Sequence, residues 1–199
     1  MIDAVLEFKL ANNSWLLRKV QERKVLPYGL KEVLKLECDR QKGETYTQDQ
    51  IEILNEEQSV IDNLPFDTCA LRGDKIEKLY ANESHVDKKK SVDVYTVIDD
   101  QIFLIECKYK AWPETKIVSS VLSFNKAIVC KFEYSRLFLS GQSEKLVSDD
   151  CIVLFNRESV EKVKSMFLRL RLEDDSSKLF SEYQILDTEA FCSMYLSRS

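Results

Sequence analysis

The sequence predicts an α/β protein, with a mixed central β-sheet flanked by helices, on three observations. Strand-like and helix-like segments alternate along most of the chain, which favours helices laid over the faces of a sheet. The stretches at 102–109 and 151–155 are apolar on both alternating faces, as in central strands covered on both sides. Thr47 and Gln50 stand at capping-box spacing before a periodic apolar segment, a clear helix start.

Taken in order, residues 1–10 alternate as a strand does, with Ala4, Leu6, Phe8 and Leu10 on one face. Asn13 and Ser14 can cap a helix running through Trp15 and Leu16 toward Arg23. Pro27-Tyr28-Gly29 breaks it, and residues 30–36 can start another. Gln41-Lys42-Gly43-Glu44 is the best punctuation in this half. It divides a strand/helix extension, 1–44, from a core domain, 45–199.

The helix begun at Thr47 should end near Asn63, because Pro65 disfavours helical geometry at Leu64. Ile53, Leu54, Val60, Ile61 and Leu64 share one of its faces, and Glu57 falls inside that apolar stripe. An acid there needs a partner or carries a desolvation cost. Residues 66–80 have room for one strand. A helix is expected over 114–132, short buried strands at 136–139 and 151–155, a helix from Asn156 through Leu168, and a last strand at 183–186.

Composition narrows the chemistry. The 199 residues are 44% hydrophobic and 32% charged, with four Gly and three Pro, which excludes collagen-like and disordered classes. No apolar run is long enough to span a bilayer, and the first residues lack the pattern of a secretory leader. A soluble, cytoplasmic protein is expected. Six scattered cysteines without a C-x-x-C pair read as free thiols in a reducing compartment, not as disulfides or a zinc site. The single histidine, His85, excludes every mechanism needing two, and it lies in a polar connector typical of solvated surface. No Gly-rich phosphate loop is present, so nucleotide-dependent metabolic enzymes are a poor fit. Any chemistry must therefore run on carboxylates, lysines and a bound metal.

One segment has the residues for that. Residues 91–98 and 102–109 are strands by composition, with Asp93 the misfit in the first and Glu106 and Lys108 the misfits in the second. Asp99-Asp100-Gln101 between them marks a hairpin. A two-residue turn at Asp99-Asp100 pairs Ile98 with Gln101 and sets Asp93 opposite Glu106, and a four-residue turn keeps that pairing. Directly opposed β-carbons lie about 4.5–5.5 Å apart, where like charges repel. Lys108 shares the face of Glu106, since strand side chains alternate. An exposed hairpin with an ordinary salt bridge would explain the charges, but Ile102, Leu104, Phe103, Ile105 and Cys107 make both faces apolar. Surface ion pairs, worth about 0–1 kcal/mol, do not compel such placement. A hard divalent cation with oxygen ligands would turn the repulsion into binding.

Val92-Asp93-Val94 followed by Leu104-Ile105-Glu106-Cys107-Lys108 resembles the signature of the PD-(D/E)xK nuclease superfamily. The likeness is close over 91–110 and looser, as an order of elements, from Thr47 to Cys151. Val92 stands where the named motif has Pro. The resemblance implies a restriction-endonuclease-like core carrying an N-terminal extension. It also implies hydrolysis of phosphodiester bonds in nucleic acid, DNA before RNA, of the kind used in defence and mobile-element systems. Asp93, Glu106 and the Cys107 carbonyl would ligate Mg2+ or Mn2+, and Lys108 would position or deprotonate the attacking water and offset charge on the phosphate. Many members add an acid from a helix preceding the sheet, for which Glu57 is the candidate and Glu56 and Glu77 the substitutes.

A net charge of −5 argues against nonspecific coating of nucleic acid. A local patch remains available in Lys88, Lys89 and Lys90, with Lys110, Lys116, Lys126 and Lys131 downstream, unless the triplet is merely a solvated turn. Tyr95, Tyr109, Trp112, Phe124 and Phe132 lie among them as candidates for base stacking. Small acidic nucleases often depend on a partner for substrate binding, so the resemblance, with this acidic balance, also implies a protein partner or a homo-oligomer. The alternative function is a non-catalytic immunity or adaptor protein that keeps the scaffold and binds a protein.

Overall fold

The computed structural model describes residues 13–41, 46–65, 68–99, 101–109, 118–140, 147–173 and 183–196. They form an α/β protein built on a six-stranded mixed open sheet. The elements are α1 (Ser14–Gln21), β1 (Tyr28–Gly29), α2 (Leu30–Gln41), α3 (Gln48–Asp62), β2 (Cys69–Arg72), α4 (Gly73–Ser84), β3 (Val94–Ile98) and β4 (Gln101–Lys108). After them come α5 (Val118–Ser140), β5 (Val147–Phe155), α6 (Arg157–Glu173), β6 (Gln184–Leu186) and α7 (Thr188–Phe191), closed by a π-helical turn, Cys192–Leu196.

Strand order follows the chain, β1 to β6. The first four pair antiparallel, whereas β4–β5 and β5–β6 are parallel. Each parallel pair needs a crossover, and α5 and α6 supply the two. Buried side chains form one core on each face of the sheet. Ile102, Leu104, Val153 and Phe155 pack under α1, α5 and α6. Phe103, Ile105, Ile152 and Leu154 pack under α2, α3 and the C-terminal turn. Strand β4 is thus covered on both faces, as its composition predicts.

Local signals explain most boundaries. Asn13 caps α1, its side chain accepting the Leu16 N–H at 2.9 Å. Thr47 and Gln50 form the expected capping box at α3, with both reciprocal hydrogen bonds present. Asn156 caps α6 by accepting the Ser159 N–H, and its amide donates to the Tyr109 carbonyl at 2.7 Å, tying the end of β4 to that helix.

Three expectations need correction. Residues 136–139 are the last turns of α5 instead of a strand, because Phe132, Ser135 and Leu139 continue a helical stripe while Leu137 is 72% exposed. The β3 ladder starts at Val94, leaving 91–93 irregular. Tyr95, Tyr109 and Phe132 are buried side chains and offer no face for stacking bases. The strand expected at 1–10, most of the 41–44 boundary, and Lys110, Trp112 and Lys116 lie outside the described residues. The described part of the expected extension contributes β1 to the sheet, Leu16 to one core and Leu30, Val33 and Leu34 to the other. None of the six cysteines forms a disulfide, and Cys38, Cys107, Cys151 and Cys192 are buried. No helix among the described residues is long and apolar enough to cross a membrane.

Candidate functional site

The hairpin has the register its turn predicts. Ile98 faces Gln101 and Val94 faces Ile105, so Asp93 lies one residue beyond the last ladder pair, level with Glu106. Asp99 takes a φ of 45°, as the mirror-image turns of tight hairpins require.

Asp93 is held from several sides. Its carbonyl accepts the Gly73 N–H at 2.8 Å, at the junction of β2 and α4. Only glycine permits that approach, since a β-carbon on Gly73 would meet the Val92 carbonyl oxygen at 1.9 Å. The neighbouring Val92 N–H donates to Ser135 Oγ on α5. The Asp93 carboxylate accepts from the Cys107 N–H through Oδ2 and from Arg40 Nη2 through Oδ1, each at 2.9 Å.

Glu106 has no exposed surface. Its Oε1 accepts from Lys108 Nζ, and from Lys131 Nζ of α5 at 2.5 Å. Its Oε2 is buried and has no hydrogen-bond partner. Burial and the Asp93 carboxylate push the Glu106 pKa up, against the pull of Lys108 and Lys131. Burial works against charge on Lys108, but Glu106 and Asp93 outweigh it and hold its pKa above the usual value. Lys108 is therefore an ammonium in this arrangement, suited to orienting water and balancing charge more than to taking a proton.

A third carboxylate joins from α2. Glu37 is fully buried, and neither oxygen has a hydrogen-bond donor, although Arg40 approaches one to 2.5 Å and Arg72 the other to 3.7 Å. The close Arg40 contact is thus an ion pair without hydrogen-bond alignment. Burial, then Asp93, raises the Glu37 pKa to about 7 despite the two arginines. Glu57 goes elsewhere: its carboxylate accepts the Thr188 hydroxyl, and the groups acting on it are Thr188, Asp187 and Arg157. Of the substitutes, Glu77 accepts from the Lys89 N–H and Tyr134 hydroxyl, and Glu56 is solvent-exposed on α3.

A cleft of about 520 Å³ opens beside Asp93, lined by Arg40, Asp74, Lys88, Lys89, Lys90, Ser91 and Lys131. The lysine triplet thus lies at the same place as Asp93, and Lys126 is an exposed residue of α5.

The donor set suits a hard divalent cation: two carboxylates and the Cys107 carbonyl are all oxygens, and Glu106 Oε2 has no other partner. Among the described residues no three His, Cys, Asp or Glu side chains gather to hold one ion. The protein's share would be small, with waters completing the sphere, as Mg2+ prefers. The Cys107 carbonyl now accepts from Gln41 Nε2 at 3.2 Å and Lys108 Nζ at 3.3 Å. Comparison of the chain with family models, curated proteins and solved structures finds no match in any of the three.

Proposed function

We propose that this protein is a metal-dependent nuclease that hydrolyses phosphodiester bonds on a restriction-endonuclease-like core of PD-(D/E)xK type. The observation that carries the reading is the pairing of Asp93 with Glu106, both buried, with Lys108 against them and a lysine-lined cleft beside Asp93. Within the six strands, the antiparallel run β2–β3–β4 followed by a helical crossover to parallel β5 supports that reading of the core. The resemblance favours DNA over RNA.

Asp93, Glu106 and the Cys107 carbonyl would hold Mg2+ or Mn2+, which when bound supplies Lewis acidity toward a phosphoryl oxygen and water. Lys108 orients the attacking water and offsets charge on the scissile phosphate. Lys131 and the lysine triplet hold the flanking backbone phosphates at the cleft. Arg40, lodged on Asp93, keeps the carboxylates from repelling one another before substrate arrives.

Cleavage of single- and double-stranded DNA and RNA, assayed with Mg2+, Mn2+ and chelator, tests this directly. Activity should need the metal and collapse in Lys108→Ala. Inertness toward all four substrates, or full activity in Lys108→Ala, would sink it.

A second reading has its own observation. Arg40, Lys108 and Lys131 already neutralise both acids, and Glu106 is sealed from solvent. A non-catalytic immunity or adaptor protein would be built so. It predicts a co-purifying protein partner and no heat on titration with Mg2+ or Mn2+.

A further inference from the structure

We infer that Glu77 is a positioning residue for nucleic-acid binding, clamping the connector that carries Lys88, Lys89 and Lys90 along the edge of the cleft. The inference rests on the nucleic-acid reading of that cleft and adds the device that builds its basic edge.

The connector from His85 to Asp93 has no regular structure, yet it is fastened at close intervals. His85 ends α4 with a φ of 53°, and the Val86 N–H returns to the Ala81 carbonyl. The Lys89 N–H donates to Glu77 Oε1 at 2.6 Å, and the Val92 N–H to Ser135. Glu77 is 1% exposed, and its other oxygen accepts the Tyr134 hydroxyl at 2.6 Å.

Three adjacent ammonium groups on a loose loop would spread into water. A solvated turn has no need of a buried carboxylate, whose desolvation is costly unless its hydrogen bonds are made. Here they are made, one to the backbone in the middle of the triplet and one to α5, the helix that also supplies Lys131. The clamp fixes Lys88, Lys89 and Lys90 over the same cleft as Arg40, Asp93 and Lys131. Arg40 and Lys131 are engaged with Asp93 and Glu106, so the three lysines of the triplet are the cations that this opening presents to the phosphates of a nucleic-acid strand.

The test is binding of a fluorescein-labelled oligodeoxythymidylate in EDTA, by anisotropy, across a salt series. Glu77→Ala should weaken binding about 10-fold and lower the salt slope by about 2, as loss of three phosphate contacts on a single strand requires. Replacing Lys88, Lys89 and Lys90 together with Gln should do the same, and adding Glu77→Ala to that variant should cost nothing more. Glu77→Gln, which can still accept the Lys89 N–H, should restore near-normal binding. With Mg2+ present, Glu77→Ala should raise KM and leave kcat unchanged.

Wild-type binding by Glu77→Ala, a loss in Glu77→Gln as large as in Glu77→Ala, additive losses, or no binding by the wild type would each overturn the clamp. If Glu77→Ala fails to melt cooperatively, Tyr134→Phe, which removes one bond and keeps the carboxylate, should still weaken binding and lower the slope; no change there overturns the inference. A wild type that binds in EDTA but never cleaves leaves the clamp standing and removes the nuclease reading alone.

Discussion

Glu37 on α2 and Glu57 on α3 are both buried acids, on helices that cover the same face of the sheet. Their surroundings differ. Glu57 is met by the Thr188 hydroxyl, and the backbone N–H groups of Arg157 and Thr188, the first residues of α6 and α7, also favour its charge. A carboxylate at two helix N-termini fastens those ends together. Glu37 has no aligned donor and is hemmed by Arg40 and Arg72, with Asp93 and Asp74 near enough to raise its pKa. A buried acid with its hydrogen bonds made is a strut. One without an aligned donor, set among charged groups of which Arg40, Asp74 and Asp93 line the cleft, is the better candidate for a site.

The largest test of that contrast is catalytic. Under the proposed nuclease function, Lys108→Ala should lower kcat by about 10²–10³-fold, the usual cost of removing one preorganised charge-stabilising group. Glu57→Gln, measured in the same cleavage assay, should leave kcat unchanged. A Glu57→Gln enzyme as weak as Lys108→Ala would place the strut in the chemistry and erase the distinction.

Gly73→Ala should follow in size. The added methyl must displace the Val92 carbonyl, which disturbs the core that holds the Val92 side chain and the anchor of Asp93. A loss of about 2–3 kcal/mol is expected, read as a fall of roughly 4–12 °C in Tm. Wild-type melting would mean that the α4 junction yields easily and Asp93 is not fixed through it.

Glu37 itself makes a pH prediction of similar or smaller size. A carboxyl whose folded pKa lies above its unfolded value binds protons more tightly when folded, so its contribution to stability is lost as pH rises. The window runs from about 4.5, the ordinary value, to about 7, with a total of at most about 3 kcal/mol. Urea unfolding across that range should show a decline that Glu37→Gln flattens. An identical slope in the variant would mean that Glu37 is not the group responsible.

Much of this site was legible because strand alternation is rigid. Parity alone puts Asp93 level with Glu106 and Lys108 on the same face, and the structure has that register. Glu37 was legible by the same helix rule that singles out Glu57. Leu30, Val33, Leu34, Glu37 and Cys38 form one buried stripe, but the expectation over 30–36 is only of a helix start, with no end given, and the acid lies one residue beyond it. Arg40 and Lys131 could not be read that way, since their contacts with Asp93 and Glu106 depend on how α2 and α5 cross the sheet. Gly73 was silent for the same reason: the carbonyl that forbids a side chain there comes from Val92, distant in sequence. The strand expected at 136–139 failed because four apolar-rich residues fit either period, and the preceding helix decided the matter.

The smallest effect concerns the strut. Thr188→Val keeps shape and removes the hydroxyl donor to Glu57, which should cost about 1–2 kcal/mol at neutral pH. The sign follows from the charged form. Burial raises the Glu57 pKa and the Thr188 hydrogen bond pulls it back, so losing that bond raises it further. The deficit of Thr188→Val against wild type should therefore grow as pH rises above the ordinary carboxyl value and shrink toward acid, where Glu57 is protonated in both. In a Glu57→Gln background, which has no charge to lose, the Thr188→Val deficit should be flat across pH. If Thr188→Val melts like wild type at every pH, the backbone N–H groups of α6 and α7 suffice for Glu57. Its contrast with Glu37 would then rest on the helix ends alone.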